Sequence, residues 1–322
     1  MWALCYVGNG GPPTVTLRAT VIVNPTARGV PASFDGSKLI RYLARQRCEA
    51  VLVVPDSGAE ATRQARLSAE RTDDLLFVVG GDGSMRDAAL GLAQSGTALA
   101  AVPAGTVNIW AKEAGIPRGL RASVDAHLGG QSVHMDLGMA GDACFLLMAG
   151  VGWDAAIASQ VSPKLKKATG DIAYMVQAAV MAPRLRTTRT RWTAGSEDFE
   201  EPLAWMVLSN SRLYGGKVEL TPDATIDDGL IDVVAMCPRG VTETARLAGK
   251  VATGMREDDR LIQRRVAEVT VSSAGLPVQL DGDYTGETPM TFRVDPRALL
   301  VSVPAGPLAA VFGDAHRDRR KP

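Results

Sequence analysis

The sequence predicts a doubly wound α/β domain followed by a β-rich domain like an antiparallel sandwich. In the first part of the chain, short β-branched runs alternate with segments of helical periodicity. These runs are almost continuously apolar, as is typical of parallel strands covered on both faces. After about His134 the pattern changes to strand-like runs separated by turn residues, which is typical of antiparallel sheets.

The elements of the first predicted domain, residues 19–134, follow in chain order. Strands are expected at Ala19–Asn24, Ala50–Val54, Leu75–Val79 and Ala98–Val102, the second of them buried like the others. Helices are expected at Lys38–Arg47, Ala59–Ala69, Met85–Gln94 and Ile109–Ala114. Because open parallel sheets bind ligands at the carboxyl ends of their strands, the polar turns there are predicted to form one site.

The second predicted domain, residues 135–313, is mostly antiparallel β structure. Its strands are expected at Cys144–Ala149, Leu203–Ser209, Leu230–Met236, Val266–Val271, Pro277–Leu280 and Leu299–Val303. Helices are expected near Leu165–Met181 and Glu243–Thr253. Residues 1–18 are predicted to be a disordered lead-in, and residues 314–322 a charged, frayed tail.

The composition excludes several classes of protein. The 35 basic and 35 acidic residues give a net charge of zero, which argues against a nucleic-acid partner. Four scattered cysteines and three histidines argue against a zinc site or a disulfide framework, and suit a reducing cytosol. No apolar run is long enough for a transmembrane helix, and the first residues lack the features of a signal peptide. The sequence therefore predicts a cytoplasmic protein.

Gly80 to Ser84, with the sequence GGDGS, lie between a predicted strand and a predicted helix. Glycines at such a junction let the backbone approach a phosphate and present main-chain N–H groups to it. The alternative is a tight turn in which Asp82 or Ser84 caps the helix. No Gly-Lys-Ser/Thr follows, which excludes a Walker A loop, and the GxGxxG dinucleotide fingerprint is absent as well.

Two further polar turns follow predicted strands. Gly105, Thr106 and Asn108 lie in PAGTVN, where they can bind phosphate or sugar oxygens or cap the next helix. The third turn is Asn24-Pro25-Thr26. Three polar turns along one predicted sheet edge favour a shared binding site over three unrelated caps.

Together these segments resemble the diacylglycerol kinase catalytic family, which includes bacterial lipid kinases and the sphingosine and ceramide kinases. The matching blocks run in the family's order from Ala19 to Val303: VNPTARG, VVGGDGS, PAGTVNIWAKE, DLG, AGVGWDA, KLKKATGDIAY, YGGKVELTPDATIDDGLIDV and QLDGDY. The resemblance implies a kinase that transfers the γ-phosphate of ATP to a diacylglycerol-like lipid hydroxyl with Mg²⁺. It also implies a nucleotide-binding N-terminal domain, a lipid-substrate C-terminal domain and an active site in the cleft between them.

The resemblance also assigns residues to this site. The nucleotide side would comprise the residues of the three polar turns: Asn24, Pro25, Thr26, Gly80, Gly81, Asp82, Gly83, Ser84, Gly105, Thr106 and Asn108. Asp82 would lie near the catalytic magnesium. Asp281 would be the general base that takes the proton from the lipid hydroxyl, with Asp283 as a second catalytic acidic residue. On spacing alone, Asp281-Gly282-Asp283 is better explained as a type I′ hairpin turn, and the resemblance reverses this preference.

A structural magnesium loop is implied at residues 225–230. There the carbonyl of Thr225, the carboxylate of Asp228 and the carbonyl of Leu230 would bind the ion through oxygen, as magnesium prefers. The alternative is a solvated acidic turn.

Three residues depart from the family's usual pattern. Asp283 stands where Glu is usual, Ile109 where some members have Asp, and Lys217 where a third Gly is usual. Lys217 leaves the exact substrate open, and Asp283 and Ile109 keep a catalytically impaired nucleotide- or lipid-binding protein as an alternative. A kinase of a soluble hydroxyl substrate is the other alternative, because NAD kinases and phosphofructokinases also carry a GGDG segment.

Basic residues surround an apolar run in the second domain. They are Lys164, Lys166, Lys167, Arg184, Arg186, Arg189 and Arg191, and the run is Ile172–Met181. This combination predicts peripheral contact with an anionic membrane, which would bring the lipid substrate within reach, and a solvated surface helix is the alternative. The sequence leaves open whether the protein forms a homodimer.

Overall fold

The structure, a computed structural model, describes residues 16–31, 33–160, 187–216, 218–253 and 257–313. The predicted helix Leu165–Met181, the tail from residue 314 and nearly all of the predicted lead-in lie outside these residues. No helix in the described part is long and apolar enough to cross a membrane.

Four parallel strands form the first part of the fold, in the order β2-β1-β3-β4. They are β1 (Leu17–Val23), β2 (Cys48–Val53), β3 (Leu75–Gly80) and β4 (Ala98–Pro103). The helices are α1 (Gly36–Arg45), α2 (Gly58–Glu70), α3 (Asp82–Leu92), α4 (Ile109–Glu113) and α5 (Leu120–Leu128). α1 and α5 pack on one face of the sheet and α2 and α3 on the other, so β3 is buried along its whole length. The predicted α/β architecture is confirmed.

The prediction that β2 is buried is wrong. β2 lies at the edge of the sheet. Val51 in this strand and Val54 just after it are each 56% exposed. Ala50 and Leu52 pack against the core beneath α1, whereas Val51, between them in sequence, faces the other way. An apolar run in the sequence does not distinguish an edge strand from a central one, because both are rich in β-branched residues.

Local capping explains where the first helices begin. The Asp35 carboxylate accepts the main-chain N–H of Ser37 at the start of α1, and Ser57 Oγ accepts that of Glu60 at the start of α2. α3 begins at Asp82 rather than at the predicted Met85, and no side chain caps it. The glycine-rich segment is therefore the first turn of α3, with its main-chain N–H groups at the end of β3.

The second part of the chain is predominantly strand. Its strands are β5 (Gln131–Ala140), β6 (Ala143–Phe145), β7 (Met148–Gly152), β8 (Thr188–Ala194), β9 (Glu197–Leu203), β10 (Trp205–Ser209), β11 (Leu213–Tyr214), β12 (Val218–Glu219), β13 (Ile231–Met236), β14 (Leu261–Val266), β15 (Glu268–Val271), β16 (Pro277–Leu280), β17 (Asp283–Glu287) and β18 (Met290–Val303). The helices are α6 (Trp153–Gln160) and α7 (Val241–Ala252).

β11 and β12 pair only with each other, and the other strands divide between two sheets that pack face to face. One is antiparallel, in the order β14-β13-β10-β7-β16-β17. The other extends the N-terminal sheet, because β18 pairs with β4 at Val301 and with β15 and β5 along its length. Trp192 and Phe292 from this sheet share a core with Val151 and Val278 from the antiparallel one. The predicted sandwich-like C-terminal domain is confirmed, with its first sheet continuous with the N-terminal domain.

Two members of the predicted basic segment belong to this sandwich. Arg189 and Arg191 lie on β8, where their Nε atoms are 2.7 Å and 3.3 Å from the Glu200 carboxylate on β9. The cross-strand ion pairs account for these two residues, so they are not part of a basic helix. The rest of the segment lies outside the described residues.

Candidate active site

The three polar turns predicted to share a sheet edge are bonded to one another. Asn24, just after β1, donates from Nδ2 to Ser84 Oγ at 2.9 Å. The main-chain N–H groups of Ala104 and Gly105, after β4, donate to the carbonyl of Gly80 at 2.8 Å and 3.1 Å. The ends of β1, β3 and β4 therefore form a single platform.

The backbones of two of these turns approach each other closely at Gly81 and Gly105. A Cβ atom on Gly105 would lie 2.5 Å from Gly81 Cα, so no larger residue fits there. Asn108 holds the same turn: its Oδ1 accepts the Gly105 N–H at 2.8 Å, and its Nδ2 donates to the Gly105 carbonyl at 2.9 Å. The Asn108 side chain thus shapes the turn from within.

The remaining predicted nucleotide-side residues are at the surface of the platform. Pro25, Thr26 and Thr106 are exposed. The Thr26 N–H and hydroxyl both donate to Asn24 Oδ1, at 2.9 Å and 2.8 Å. This edge is open to a ligand, with main-chain and hydroxyl groups around it.

Asp82 bridges two helices. Its Oδ2 accepts the main-chain N–H of Ile109 at 3.0 Å, and its Oδ1 accepts that of Trp110 at 3.1 Å. The carboxylate therefore caps α4 and not its own helix, and burial raises its pKa. Ile109, one of the departures from the family pattern, contributes its N–H to this cap.

The Asp281-Gly282 pair forms the two-residue turn between β16 and β17. Both residues have positive φ, at +49° and +86°, and Leu280 pairs with Asp283 on either side of them. This is the pattern of a type I′ hairpin, so the turn predicted from the spacing alone is confirmed. It also directs both carboxylates of the turn to the same region.

The Asp281 carboxylate accepts three main-chain N–H groups. Leu146 donates to Oδ2 at 2.8 Å, while Leu147 and Met148 donate to Oδ1 at 2.9 Å and 3.1 Å. Burial raises the pKa of Asp281 to about 6, against the lowering effect of Arg86 and of these N–H groups. Oδ2 keeps one lone pair, so this carboxylate can take up a proton near neutral pH.

The glycine-rich turn and the hairpin turn face each other. A Cβ atom on Gly83 would lie 3.2 Å from Asp283 Oδ2. The Asp283 side chain is 44% exposed, so it is accessible to a ligand at the mouth of the gap. The structure therefore brings Asp281, Asp283 and the first turn of α3 close together.

Arg86 is a site residue that the sequence analysis missed. Its Nη1 donates to the Leu280 carbonyl at 2.7 Å and lies 3.3 Å from Asp283 Oδ2, and its Nη2 lies 3.3 Å from Asp87 Oδ1. The signal in the sequence is its place at the start of the predicted helix Met85–Gln94, directly after the glycine-rich segment.

A second missed feature supports the hairpin turn from below. Gln279 accepts the Gly282 N–H on Oε1 at 2.6 Å and donates from Nε2 to Asp154 Oδ2 at 3.1 Å. Burial raises the pKa of Asp154 to about 6. Asp154 lies in the block AGVGWDA and Gln279 in the block QLDGDY. The resemblance implied no role for either residue.

The predicted structural magnesium loop is held by other contacts. Asp228 Oδ2 accepts from the Thr225 hydroxyl and from the Arg265 guanidinium, and its Oδ1 accepts the Leu230 N–H at 2.9 Å. Arg265 Nε also lies 3.4 Å from Asp232. Asp228 Oδ2 therefore already has a cationic partner, and the magnesium site at this loop stays a prediction. Among the residues described, no group of three or more His, Cys, Asp or Glu side chains is placed to hold a metal.

Comparison with known proteins identifies the family. Residues 18–140 match the diacylglycerol kinase catalytic domain, and residues 148–303 match the YegS C-terminal NAD kinase beta sandwich-like domain. A probable lipid kinase YegS-like protein of Pseudomonas putida is 34% identical over 231 residues, which are 70% of this chain and 76% of that protein. The chain belongs to the bacterial diacylglycerol and YegS-like lipid kinase family.

Other members of this lipid kinase family match over more of their length. The diacylglycerol kinase of Bacillus subtilis is 27% identical over 280 residues, covering 85% of this chain and 92% of that enzyme. A diacylglycerol kinase structure from Bacillus anthracis str. Sterne covers 89% of this chain and 97% of its own, at 18% identity and a TM-score of 0.67. A second structure from that strain covers 93% and 99%, at 19% identity and a TM-score of 0.77. These structures share the fold described above.

Proposed function

We propose that this family member transfers the γ-phosphate of ATP to the hydroxyl of a diacylglycerol-like lipid. The observation that carries the proposal is the position of Asp281, a carboxylate with a raised pKa, in the turn that faces the first turn of α3. A proton acceptor and a phosphate-binding backbone are the two parts that phosphoryl transfer to an alcohol requires of a protein. The names of the relatives support a lipid as the acceptor.

The nucleotide side would bind the phosphates through main-chain groups. The first turn of α3 presents N–H groups that no side chain caps, at the positive end of an 11-residue helix. The close approach of Gly81 to Gly105 keeps this surface free of side chains. Thr106 lies exposed on the same platform, and its hydroxyl can donate to phosphate or ribose oxygens. Thr26, also exposed, donates its hydroxyl and N–H to Asn24 and would hold the shape of the first turn.

Asp281 would act as the general base. Its Oδ2 takes the proton from the lipid hydroxyl while the hydroxyl oxygen forms a bond to the γ-phosphorus and the bond to the bridging oxygen of ADP breaks. The three N–H groups from Leu146 to Met148 fix the orientation of the carboxylate before the substrates bind. Because its pKa is about 6, Asp281 is mostly ionised at neutral pH yet remains basic enough to accept a proton.

Magnesium would accompany the nucleotide. Mg²⁺ usually binds through one or two carboxylates together with substrate phosphates, and Asp283, partly exposed beside Gly83, fits that requirement. Asp87, whose Oδ1 lies 3.3 Å from Arg86 Nη2, would be the second carboxylate near the ion. The ion would supply neutralisation of phosphate charge, and Asp82 would support it indirectly by holding α4 and the turn before it.

The acceptor lipid would reach this site from a membrane surface. Peripheral membrane contact is part of the proposal, because a kinase of membrane lipids has to work at the bilayer. The basic and apolar segment between residues 161 and 186 is the part of the sequence that suits this contact.

Transfer of labelled phosphate from ATP to a panel of lipids in mixed micelles tests the proposal. We expect labelled lipid only with Mg²⁺, and a loss of about 10²–10⁴-fold in kcat in Asp281→Asn with nearly unchanged ATP affinity. Asp198→Asn, an exposed carboxylate on β9, is the matched control and should behave as wild type. Near-full activity in Asp281→Asn would refute the base, and labelling of soluble alcohols without lipid would redirect the proposal to a soluble substrate.

A further inference from the structure

The guanidinium of Arg86 joins the two domains at the site. Arg86 lies on the second turn of α3, and only 18% of its side chain is exposed. Its hydrogen bond to the Leu280 carbonyl spans 194 residues of sequence. We propose that Arg86 is a positioning residue that fixes the Asp281 turn over the glycine-rich turn, an inference that rests on the proposed function for its catalytic consequence.

The donors of Arg86 are directed at both ends of the hairpin turn. Leu280 immediately precedes Asp281, and Asp283 ends the turn. Arg86 Nη1 donates to the Leu280 carbonyl at 2.7 Å and lies 3.3 Å from the Asp283 carboxylate. Nη2 lies 3.3 Å from Asp87, which belongs to the same helix as Arg86. The guanidinium therefore spans from α3 to the turn, and its planar fork suits several acceptors at fixed angles.

The charges around Arg86 explain why it stays in this position. Asp87, Asp281 and Asp283 all lower the energy of its charged form, and burial opposes them. A buried cation needs such partners, and three carboxylates converging without it would repel one another. Removal of the guanidinium should therefore loosen the turn at the point where the two domains meet.

Loosening the turn affects the reaction more than substrate binding. The platform that would hold ATP is built by the ends of β1, β3 and β4, none of which is held by the Arg86 side chain. The direction of Asp281 toward the γ-phosphate, in contrast, depends on the turn. Because small displacements of a reacting group reduce rates strongly, we expect kcat to fall about 10–100-fold in Arg86→Gln while KM for ATP changes less than about threefold.

The test combines amide hydrogen exchange with kinetics on Arg86→Gln, Arg86→Lys and the control Arg63→Gln. Arg63 also pairs with a carboxylate, Glu60 at 2.6 Å, but within α2 alone. Arg86→Gln should exchange about tenfold faster at the main-chain N–H groups of residues 146–148, which Asp281 binds, with no change in β1 or β3. Arg86→Lys keeps the charge without the fork and should recover part of kcat.

Each outcome decides one of the two proposals. Unchanged exchange at residues 146–148 in both Arg86 variants, or equally faster exchange throughout the chain, would overturn the positioning role. Faster exchange confined to residues 146–148 would support the positioning role even if the wild-type protein phosphorylates no lipid, in which case only the proposed function fails. If Arg86→Gln does not fold, the comparison of Arg86→Lys with Arg63→Gln decides the same question.

Discussion

The Asp82 carboxylate accepts the main-chain N–H of Ile109 at 3.0 Å, so the glycine-rich turn holds the start of α4. The acidic residue of the glycine-rich segment thus has a structural role, in addition to any role that it has toward a metal. Its second oxygen accepts the next N–H, from Trp110. Changes at Asp82 will therefore act on the turn that contains Gly105 and Asn108.

Asp82→Asn should weaken binding of MgATP. An amide can accept only one of the two N–H groups and turns its own donor toward the other, which typically costs about 1–3 kcal/mol. Calorimetric titration with ATP, with and without Mg²⁺, measures the effect, and Asp198→Asn again provides the control. Equal MgATP affinity in Asp82→Asn and wild type would show that the cap of α4 does not matter for the nucleotide.

The rate should rise with pH through about 6. Burial raises the pKa of Asp281 to about 6, so the base is protonated, and inactive, at lower pH and ionised above it. A profile of kcat/KM against pH, measured at constant ionic strength, should show this acidic limb. The residual activity of Asp281→Asn should lack it, and an unchanged limb in that variant would assign the titration to another group.

Gln279→Leu should destabilise the hairpin turn. Gln279 is 4% exposed. Its replacement by Leu removes the side-chain oxygen that accepts the Gly282 N–H and the amide group that donates to the Asp154 carboxylate. We expect the free energy of unfolding to fall by about 1–3 kcal/mol, measured by urea denaturation.

The same variant should also have a lower kcat, because the Asp281 turn would be less well held. Gln263→Leu on the exposed side of β14 replaces a glutamine with the same apolar residue away from the site. If both variants lose equal stability and keep wild-type kcat, the bond chain from Asp154 has no role in positioning the turn.

Magnesium alone should not raise the melting temperature of the wild-type protein. Arg265 already neutralises Asp228, so the 225–230 loop has a cation in place. Arg265→Gln should make the melting temperature respond to Mg²⁺, and Asp228→Ala should lower it whatever the ion concentration. Thermal unfolding in EDTA and in Mg²⁺ measures both. If Mg²⁺ raises the melting temperature of the wild-type protein and Asp228→Ala abolishes this increase, the loop binds magnesium after all.

The sequence predicts the α/β half of the fold closely because its strands are continuous apolar runs. β3 and β4 begin at the predicted residues, Leu75 and Ala98. The platform of polar turns followed from the rule that strand ends share one edge of a parallel sheet. The position of β2 did not follow, since strand order is decided by packing between distant segments.

The C-terminal half was less predictable. β8, with arginines at alternate positions, and β9, with the sequence EDFEEPL, were missed because few of their residues are apolar. The residues that the sequence predicted for the site lie in short segments that resemble the family's motifs. Arg86 and Gln279 lie in or beside such blocks, but their partners Leu280 and Asp154 are far away along the chain, so the sequence does not indicate these contacts.

The pairing of β18 has a consequence for the growing chain on the ribosome. β18 lies beside β4, β5 and β15, yet it is the last strand of the described chain to be translated. Until Met290–Val303 emerges, the strands beside it expose unpaired edges, and such edges invite contact with other chains. A nascent or prematurely terminated product that lacks β18 would therefore not be a smaller working unit but a target for chaperones and proteases.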